Sequence, residues 1–266
     1  MNEHRARKRF GQNFLNNPHY IEMMLSFINP AADEPIIEIG PGLGALTRPL
    51  LDAGAHITAI EIDRDLSAKL AADFQGRHFE LITQDALKTN FAEIEPDAGK
   101  IRIIGNLPYN ISTPLIFHLL AYEWRIKEMY FLLQREVVNR LAANPDTGAY
   151  GKLGIMVQYH CDVTPLFDIP PEAFTPQPKV FSSYVKITPR PYPIQASDTT
   201  HLKNLVNAAF QQRRKTLRNT LKKWISAPEL AELGIAPDKR PENLQIDDYI
   251  RISNHLLSEH SDNNKR

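Results

Sequence analysis

The chain is poor in cysteine: Cys161 is the only one in 266 residues. That excludes an internal disulfide and predicts a protein at home in a reducing compartment, the cytoplasm. Long apolar runs are also missing, and nothing approaches the roughly 20 residues that a membrane span needs. The opening MNEHRARKRFGQNF is charged with no apolar stretch behind it, so it does not read as a secretory leader. No membrane partner is expected. Nine histidines are scattered with no Cys/His cluster of zinc-ligand spacing, and the expectation is that there is no metal. A surplus of either charge is lacking too, with 31 basic against 31 acidic residues. This balance argues against a protein that coats nucleic acid by bulk electrostatics.

What is present suits an ordinary globular chain: 42% apolar and 23% charged residues, enough for a sizeable core. From residue 35, short β-rich runs alternate with amphipathic segments. PIIEIG (35–40), HITAIEI (56–62), FELITQ (79–84), IRIIG (101–105) and MYFLLQ (129–134) predict strands, with helices around 45–53, 64–73, 112–122 and 135–143. This alternation predicts an α/β fold with a mostly parallel sheet covered on both faces. LGIMVQYHCDVTPLFDI and VFSSYVKITP read as two antiparallel strands that complete a seven-stranded sheet. RPYPIQASDTT (190–200) reads as a linker, after which the sequence turns helical. The expected division is residues 1–195, with an amino-terminal arm over 1–17, followed by a small all-α domain over 196–266. The closing SEHSDNNKR looks too polar to pack and is expected to fray.

EIGPGLG (38–44) follows the first predicted strand and opens a helix. Gly40 and Gly42 permit a tight turn and a close backbone approach to a ligand, and with Ala45 they satisfy the relaxed dinucleotide pattern. Two residues argue against NAD. Glu38 would repel a pyrophosphate but suits a cationic ligand such as the amino end of a methionine moiety. Pro41 removes one backbone N–H from the loop. Glu61 ends the second strand, where an acid can accept two ribose hydroxyls, and Asp85 follows the third, where it can accept from an adenine amine. NAD and S-adenosylmethionine share that ribose, so Glu61 does not separate them. The loop and both acids together read as a nucleoside site with a methionine tail.

A fourth strand end delivers Asn106-Leu107-Pro108-Tyr109 to the same edge. An adenine exocyclic amine is a weak nucleophile because its lone pair is delocalised into the ring. The Asn106 side-chain oxygen and the Leu107 carbonyl, stiffened by Pro108, can accept its two hydrogens and aim that lone pair. Tyr109 offers a ring face for a flipped-out base, worth about 1–3 kcal/mol. No strong base is required, which accounts for the lack of a histidine or cysteine in the group.

FGQNFL (10–15), EIGPGLG, IEID, QDAL, GNLPYNIS, AFTPQPKV and FQQRRKTLRN occur in this order. Together they closely resemble the small-subunit ribosomal RNA adenine dimethyltransferases of the KsgA type, over nearly the whole chain. The resemblance implies a Rossmann-like class I methyltransferase that uses S-adenosyl-L-methionine. It implies dimethylation at N6 of two adjacent adenosines in the 3′-terminal hairpin loop of 16S rRNA, during assembly of the 30S subunit. It further implies that Asn13, Leu15, Gly40, Glu61, Asp85 and Asn106 contact the cofactor, and that Phe174 stacks on the flipped adenine opposite Tyr109. The number of methyl groups rests on this resemblance alone. The rivals are a 23S rRNA adenine methyltransferase, a DNA adenine methyltransferase and a non-catalytic RNA-binding assembly factor. The 16S rRNA of the 30S subunit or its precursor is the expected partner, and the expected state is a monomer.

Residues 5–9 (RARKR) and 213–223 (RRKTLRNTLKK) are basic clusters. Wound as one helix, residues 206–224 place Val206, Phe210, Leu217, Leu221 and Trp224 on an apolar stripe. Arg214, Lys215, Arg218 and Lys222 form the adjacent strip, with Arg213 nearer the stripe. Like charges at 214, 218 and 222 repel at i,i+4 spacing. A polyanion would offset that cost, so these four residues are candidates for RNA phosphate contact.

Overall fold

The computed structural model describes residues 12–212 and 214–263; the arm at 5–9, the opening of FGQNFL and Arg213 lie outside the described residues. The strands are β1 Phe14–Leu15, β2 Pro35–Ile39, β3 His56–Glu61, β4 Phe79–Thr83, β5 Ile101–Asn106, β6 Ile126–Gln134, β7 Cys161–Ile169, β8 Phe174–Thr175 and β9 Ser182–Pro189. Seven of them form one sheet in the order β4-β3-β2-β5-β6-β9-β7. The β2–β3, β2–β5, β3–β4 and β5–β6 pairs are parallel, and β9 runs antiparallel to β6. The fold is therefore the α/β class the sequence predicts. The central strands are apolar on both faces because helices cover both: Ile36, Ile37, Ile57, Ile103 and Ile104 are fully buried. β1 and β8 form a separate antiparallel pair, Phe14 opposite Thr175 and Leu15 opposite Phe174.

The chain divides into two compact units. One comprises the residues up to Val138 with Asp162–Pro189, the other Asn139–Cys161 with the residues from Arg190 on. The second unit thus takes in a segment well before residue 195. Part of that segment departs from expectation: LGIMVQYH is not a strand but lies in the helix Lys152–His160. A continuous apolar run cannot distinguish a buried strand from a helix buried all round, and here Gly154, Ile155, Met156, Val157 and Tyr159 are all buried. Gln158 uses its amide to cap the carbonyls of Leu141 and Ala143, at 2.8 and 3.0 Å.

The single helix expected over 206–224 is also broken. Helix Thr199–Ala209 passes into a tight turn over Phe210–Gln212, and a new short helix spans Leu217–Thr220. The restart is anchored by backbone: Leu217 N–H donates to the Lys239 carbonyl (2.8 Å) and Arg218 N–H to that of Pro237 (3.0 Å). These bonds satisfy first-turn donors that would otherwise be unpaired. Val206, Leu217 and Leu221 are buried as the stripe predicts. Arg214, Lys215, Arg218 and Lys222 are all exposed. The last helix, Ile246–Asn263, carries helical geometry into the polar tail instead of fraying at 258.

β5 carries a buried cation inside the sheet. Arg102 of β5 is 6% exposed, and its guanidinium meets Glu34 at 2.9 Å and Glu128 at 2.8 Å. Lys186 of β9 closes on the other oxygen of Glu128. Burial works to raise the Glu128 carboxyl, but the hydrogen bond from Lys186 and the charge of Arg102 outweigh it and hold it below its ordinary value. The network ties β5, β6 and β9 together, while a lone buried charge would be costly. Arg102→Met is expected to destabilise the fold by about 3 kcal/mol at neutral pH. A depressed carboxyl contributes stability above its unfolded-state pKa, so the deficit should shrink as pH falls below the ordinary carboxylate value of 4.5. Denaturant midpoints of both proteins across this range check it.

Candidate active site

The carboxyl ends of β2, β3, β4 and β5 deliver Glu38, Glu61, Asp85 and Asn106 to one edge of the sheet, around a cavity of about 250 Å3. This is where open α/β sheets place their ligands. The β2 end turns through Gly40 and Gly42 at φ of 68° and 58°, conformations that favour glycine. The ring of Phe14 lies over the turn, within 3.0 Å of where a Gly42 Cβ would stand. Gly105 answers a different demand: a Cβ there would stand 2.6 Å from the Ile39 carbonyl oxygen. Any side chain would force β5 and β2 apart, just before the strand hands over to Asn106.

Glu38 is 2% exposed and its carboxylate accepts a hydrogen bond from Thr47 Oγ1 at 2.6 Å. Burial pushes its pKa up to about 7, against the Thr47 bond and with help from the nearby negative Glu61. Glu61 is likewise raised by burial, and is held by the backbone N–H groups of Asp63, Gly42 and Ile62. The Asp63 bond is 2.9 Å, to Oε1. A carboxylate offers about four acceptor positions, so Glu61 keeps capacity for a hydroxyl. Asp85 caps the turn Ala86–Lys88 through Oδ1, which accepts from Leu87 N–H at 3.0 Å. Its Oδ2 has no partner among the described residues. Acid-rich, lined by apolar Ile62 and Leu66, and short of one loop N–H at Pro41, this cavity fits a nucleoside with a positively charged tail better than a pyrophosphate.

Asn106 is oriented from across the cavity: its Nδ2 donates to the backbone carbonyl of Asn13 at 3.0 Å. A carbonyl can only accept, so this bond fixes which way round the amide sits and leaves Oδ1 as a free acceptor. Leu107 is buried, its N–H tied to the Leu132 carbonyl at 3.2 Å, and Pro108 and Asn106 line the cavity beside it. Tyr109 stands outside the lining, half-buried, its phenol hydrogen-bonded to Ser182 Oγ at 2.9 Å. Burial raises that phenol, so it stays protonated. Asn13, Leu15, Gly40 and Gly42 also line the cavity.

Phe174 lies in β8. Its ring is 2% exposed, in the core cluster with Leu15, Met24 and Tyr184, because pairing of β8 with β1 turns it inward. In this arrangement it anchors the loop rather than offering a stacking face. Thr47, Ser182 and Phe14 were not singled out from sequence. Phe14 lies inside FGQNFL and Thr47 just after EIGPGLG, but no local pattern marks the contact either makes, and Ser182 is distant in sequence from Tyr109. Ile62 did carry a signal, a large apolar side chain 46% exposed immediately after Glu61.

A raised carboxyl means that the folded protein keeps a proton that the unfolded chain releases between pH 4.5 and about 7, so stability falls as pH rises through this window. Glu38→Gln removes the penalty. At pH 8 the variant should be more stable by roughly 3 kcal/mol, with no advantage at about pH 4, as read from denaturant midpoints at the two pH values.

Residues 3–257 match the family described as ribosomal RNA adenine dimethylase. The chain is 51% identical over 262 residues to ribosomal RNA small subunit methyltransferase A of Idiomarina loihiensis, covering 97% of this chain and 90% of that one. It is 49% identical to the protein of the same name from Hahella chejuensis, covering 95% of this chain and 93% of that one. Among solved structures, a dimethyladenosine transferase from Plasmodium falciparum superposes with a TM-score of 0.75 at 26% identity, over 94% of this chain and 98% of the other. The 23S rRNA methyltransferase ErmE shares the fold at TM-score 0.69 and 23% identity, over 92% of this chain and all of the other. With the acids, the glycine turn and the oriented asparagine in place, the match over nearly its full length means that this chain belongs to the ribosomal RNA adenine dimethylase family.

Proposed function

We propose that this chain transfers methyl groups from S-adenosyl-L-methionine to N6 of two adjacent adenosines in the 3′-terminal hairpin loop of 16S rRNA, giving N6,N6-dimethyladenosine during 30S biogenesis. The observation that carries the reading is the Asn13–Asn106 bond, which commits the Asn106 amide to presenting an acceptor. Glu38 and Glu61 would hold the cofactor's charged tail and ribose, and Asp85 Oδ2 would accept from its adenine amine. Bound there, the cofactor supplies an electrophilic methyl group on a positively charged sulfur. Asn106 Oδ1 and the Leu107 carbonyl accept the two hydrogens of the target amine, drawing its nitrogen towards tetrahedral geometry. Tyr109 supports the base with its ring, held by Ser182. The surplus proton leaves to solvent, so positioning and electrostatics carry the rate.

The four exposed cations Arg214, Lys215, Arg218 and Lys222 hold RNA phosphates and position the substrate without reading bases. The working state is a cytoplasmic monomer that acts on the 30S subunit or its precursor. Among the described residues no helix is long and apolar enough to cross a membrane.

Labelled methyl should pass to unmethylated small subunits and appear as N6,N6-dimethyladenosine, with none in 23S rRNA or duplex DNA. Asn106→Ala should lower that transfer by at least about 100-fold while leaving subunit binding intact. Full transfer by the variant would refute the mechanism, and a wild type that binds but never transfers would favour an assembly factor. Replacing Arg214, Arg218 and Lys222 together by Gln should reduce the salt dependence of rRNA binding by up to roughly 0.7–0.9 in log–log slope per lost contact, with cofactor affinity unchanged. An unaltered slope would place the RNA on another surface.

A further inference from the structure

The helical unit holds a cluster that methyl transfer does not use. Helix Ala227–Glu232 and helix Ile246–Asn263 bring Glu229, His255 and Glu259 together, with one ligating atom from each lying within 4.8 Å of the others. His255 and Glu259 are one helical turn apart, with Nε2 3.8 Å from Oε1. Glu229 comes from the facing helix, and its carboxyl lies beside Glu259 within that 4.8 Å spacing. It is aimed by a capping box, in which Oε2 accepts from Ser226 N–H at 2.7 Å.

Two features show that this group is incomplete as it stands. His255 Nε2 is closed off from solvent and has no hydrogen-bond partner. Buried polar nitrogens rarely go unpaired without a reason, a missing ion among them. The two carboxylates also face each other with no neutralising lysine or arginine among the described residues. Arg251, one turn before His255, is committed to Asp248 and to the Leu233 carbonyl. Something positive belongs between the carboxylates, and the orphan nitrogen points to what it is. A proton on the imidazole would supply that charge but leave Nε2 3.8 Å from the Glu259 oxygen, beyond a hydrogen bond. A metal ion satisfies all three.

One imidazole nitrogen with two carboxylate oxygens is a ligand set for a borderline transition metal, whereas magnesium and calcium select oxygen alone. Around a tetrahedral zinc, with bonds of about 2.0–2.2 Å, ligand atoms stand roughly 3.4 Å apart. The present spacing contracts to that by small rotations of the two glutamates. We infer that Glu229, His255 and Glu259 form a three-ligand site for a divalent transition metal, best suited to zinc, with the remaining position open to water. Such an ion staples the two helices of the helical unit. Because the ligands are one histidine and two acids on separate helices, the site falls outside the Cys/His spacing by which zinc is read from sequence.

The test is calorimetric titration of zinc chloride into the full-length chain after chelator treatment, with the melting temperature followed in parallel. One saturable zinc site and a raised melting temperature are expected, with no response to magnesium. His255→Gln and Glu259→Gln should each weaken that site at least about tenfold. Both side chains are partly exposed, so the variants should keep the wild-type circular dichroism; if one does not, the other decides. No saturable zinc binding, or binding unchanged in these variants, would overturn the assignment. The first result would leave a shared proton between the acids, and the second would place the metal on other histidines.

Discussion

The approach of β5 to β2 sets the geometry on which everything at the sheet edge depends. With no room for a Cβ between residue 105 and the Ile39 carbonyl, the two strands end side by side, and the glycine turn after β2 faces the Asn-Leu-Pro-Tyr segment after β5. Parallel neighbours then supply Glu61 and Asp85 at matching heights, since β3 and β4 run in register with β2. The site is thus a consequence of strand ends meeting at one edge. The residues that occupy it need only be short enough, or flexible enough, to follow.

That edge is expensive to build. Glu38 is held where burial brings its carboxyl to near neutrality, and Glu61 survives burial by accepting backbone N–H groups. Stability is supplied elsewhere, by the apolar core and by the Glu34–Arg102–Glu128–Lys186 network, which joins strands that the helices alone would not link. Charges on that network are matched. Those at the edge are not, and a cationic ligand is what relieves them.

Much of this was legible in the sequence because strands and turns announce themselves locally. Each of the five early strands was visible as a short apolar run rich in β-branched or aromatic residues, and Glu38, Glu61, Asp85 and Asn106 were visible because each stands at the end of one. What failed were features decided by tertiary contacts. Lys152–His160 reads as a strand because a helix buried on all faces leaves no amphipathic trace. The stretch 206–224 reads as one helix because nothing local reveals that Lys239 and Pro237 reach in to restart it. The burial of Phe174 has no local trace either, because its strand partner Leu15 lies far away in the chain. The supports of the site, Thr47 under Glu38 and Ser182 behind Tyr109, adjoin motifs in the chain, but their pairing is set by tertiary contact that no local pattern marks.

The Asn13 carbonyl that orients Asn106 belongs to a segment with two other attachments. Phe14 of that segment rests on the glycine turn, and β1 is paired with β8. One short stretch of backbone therefore lines the cavity and fixes which way round the Asn106 amide sits. Any displacement of this stretch from the cavity would break the bond that orients Asn106.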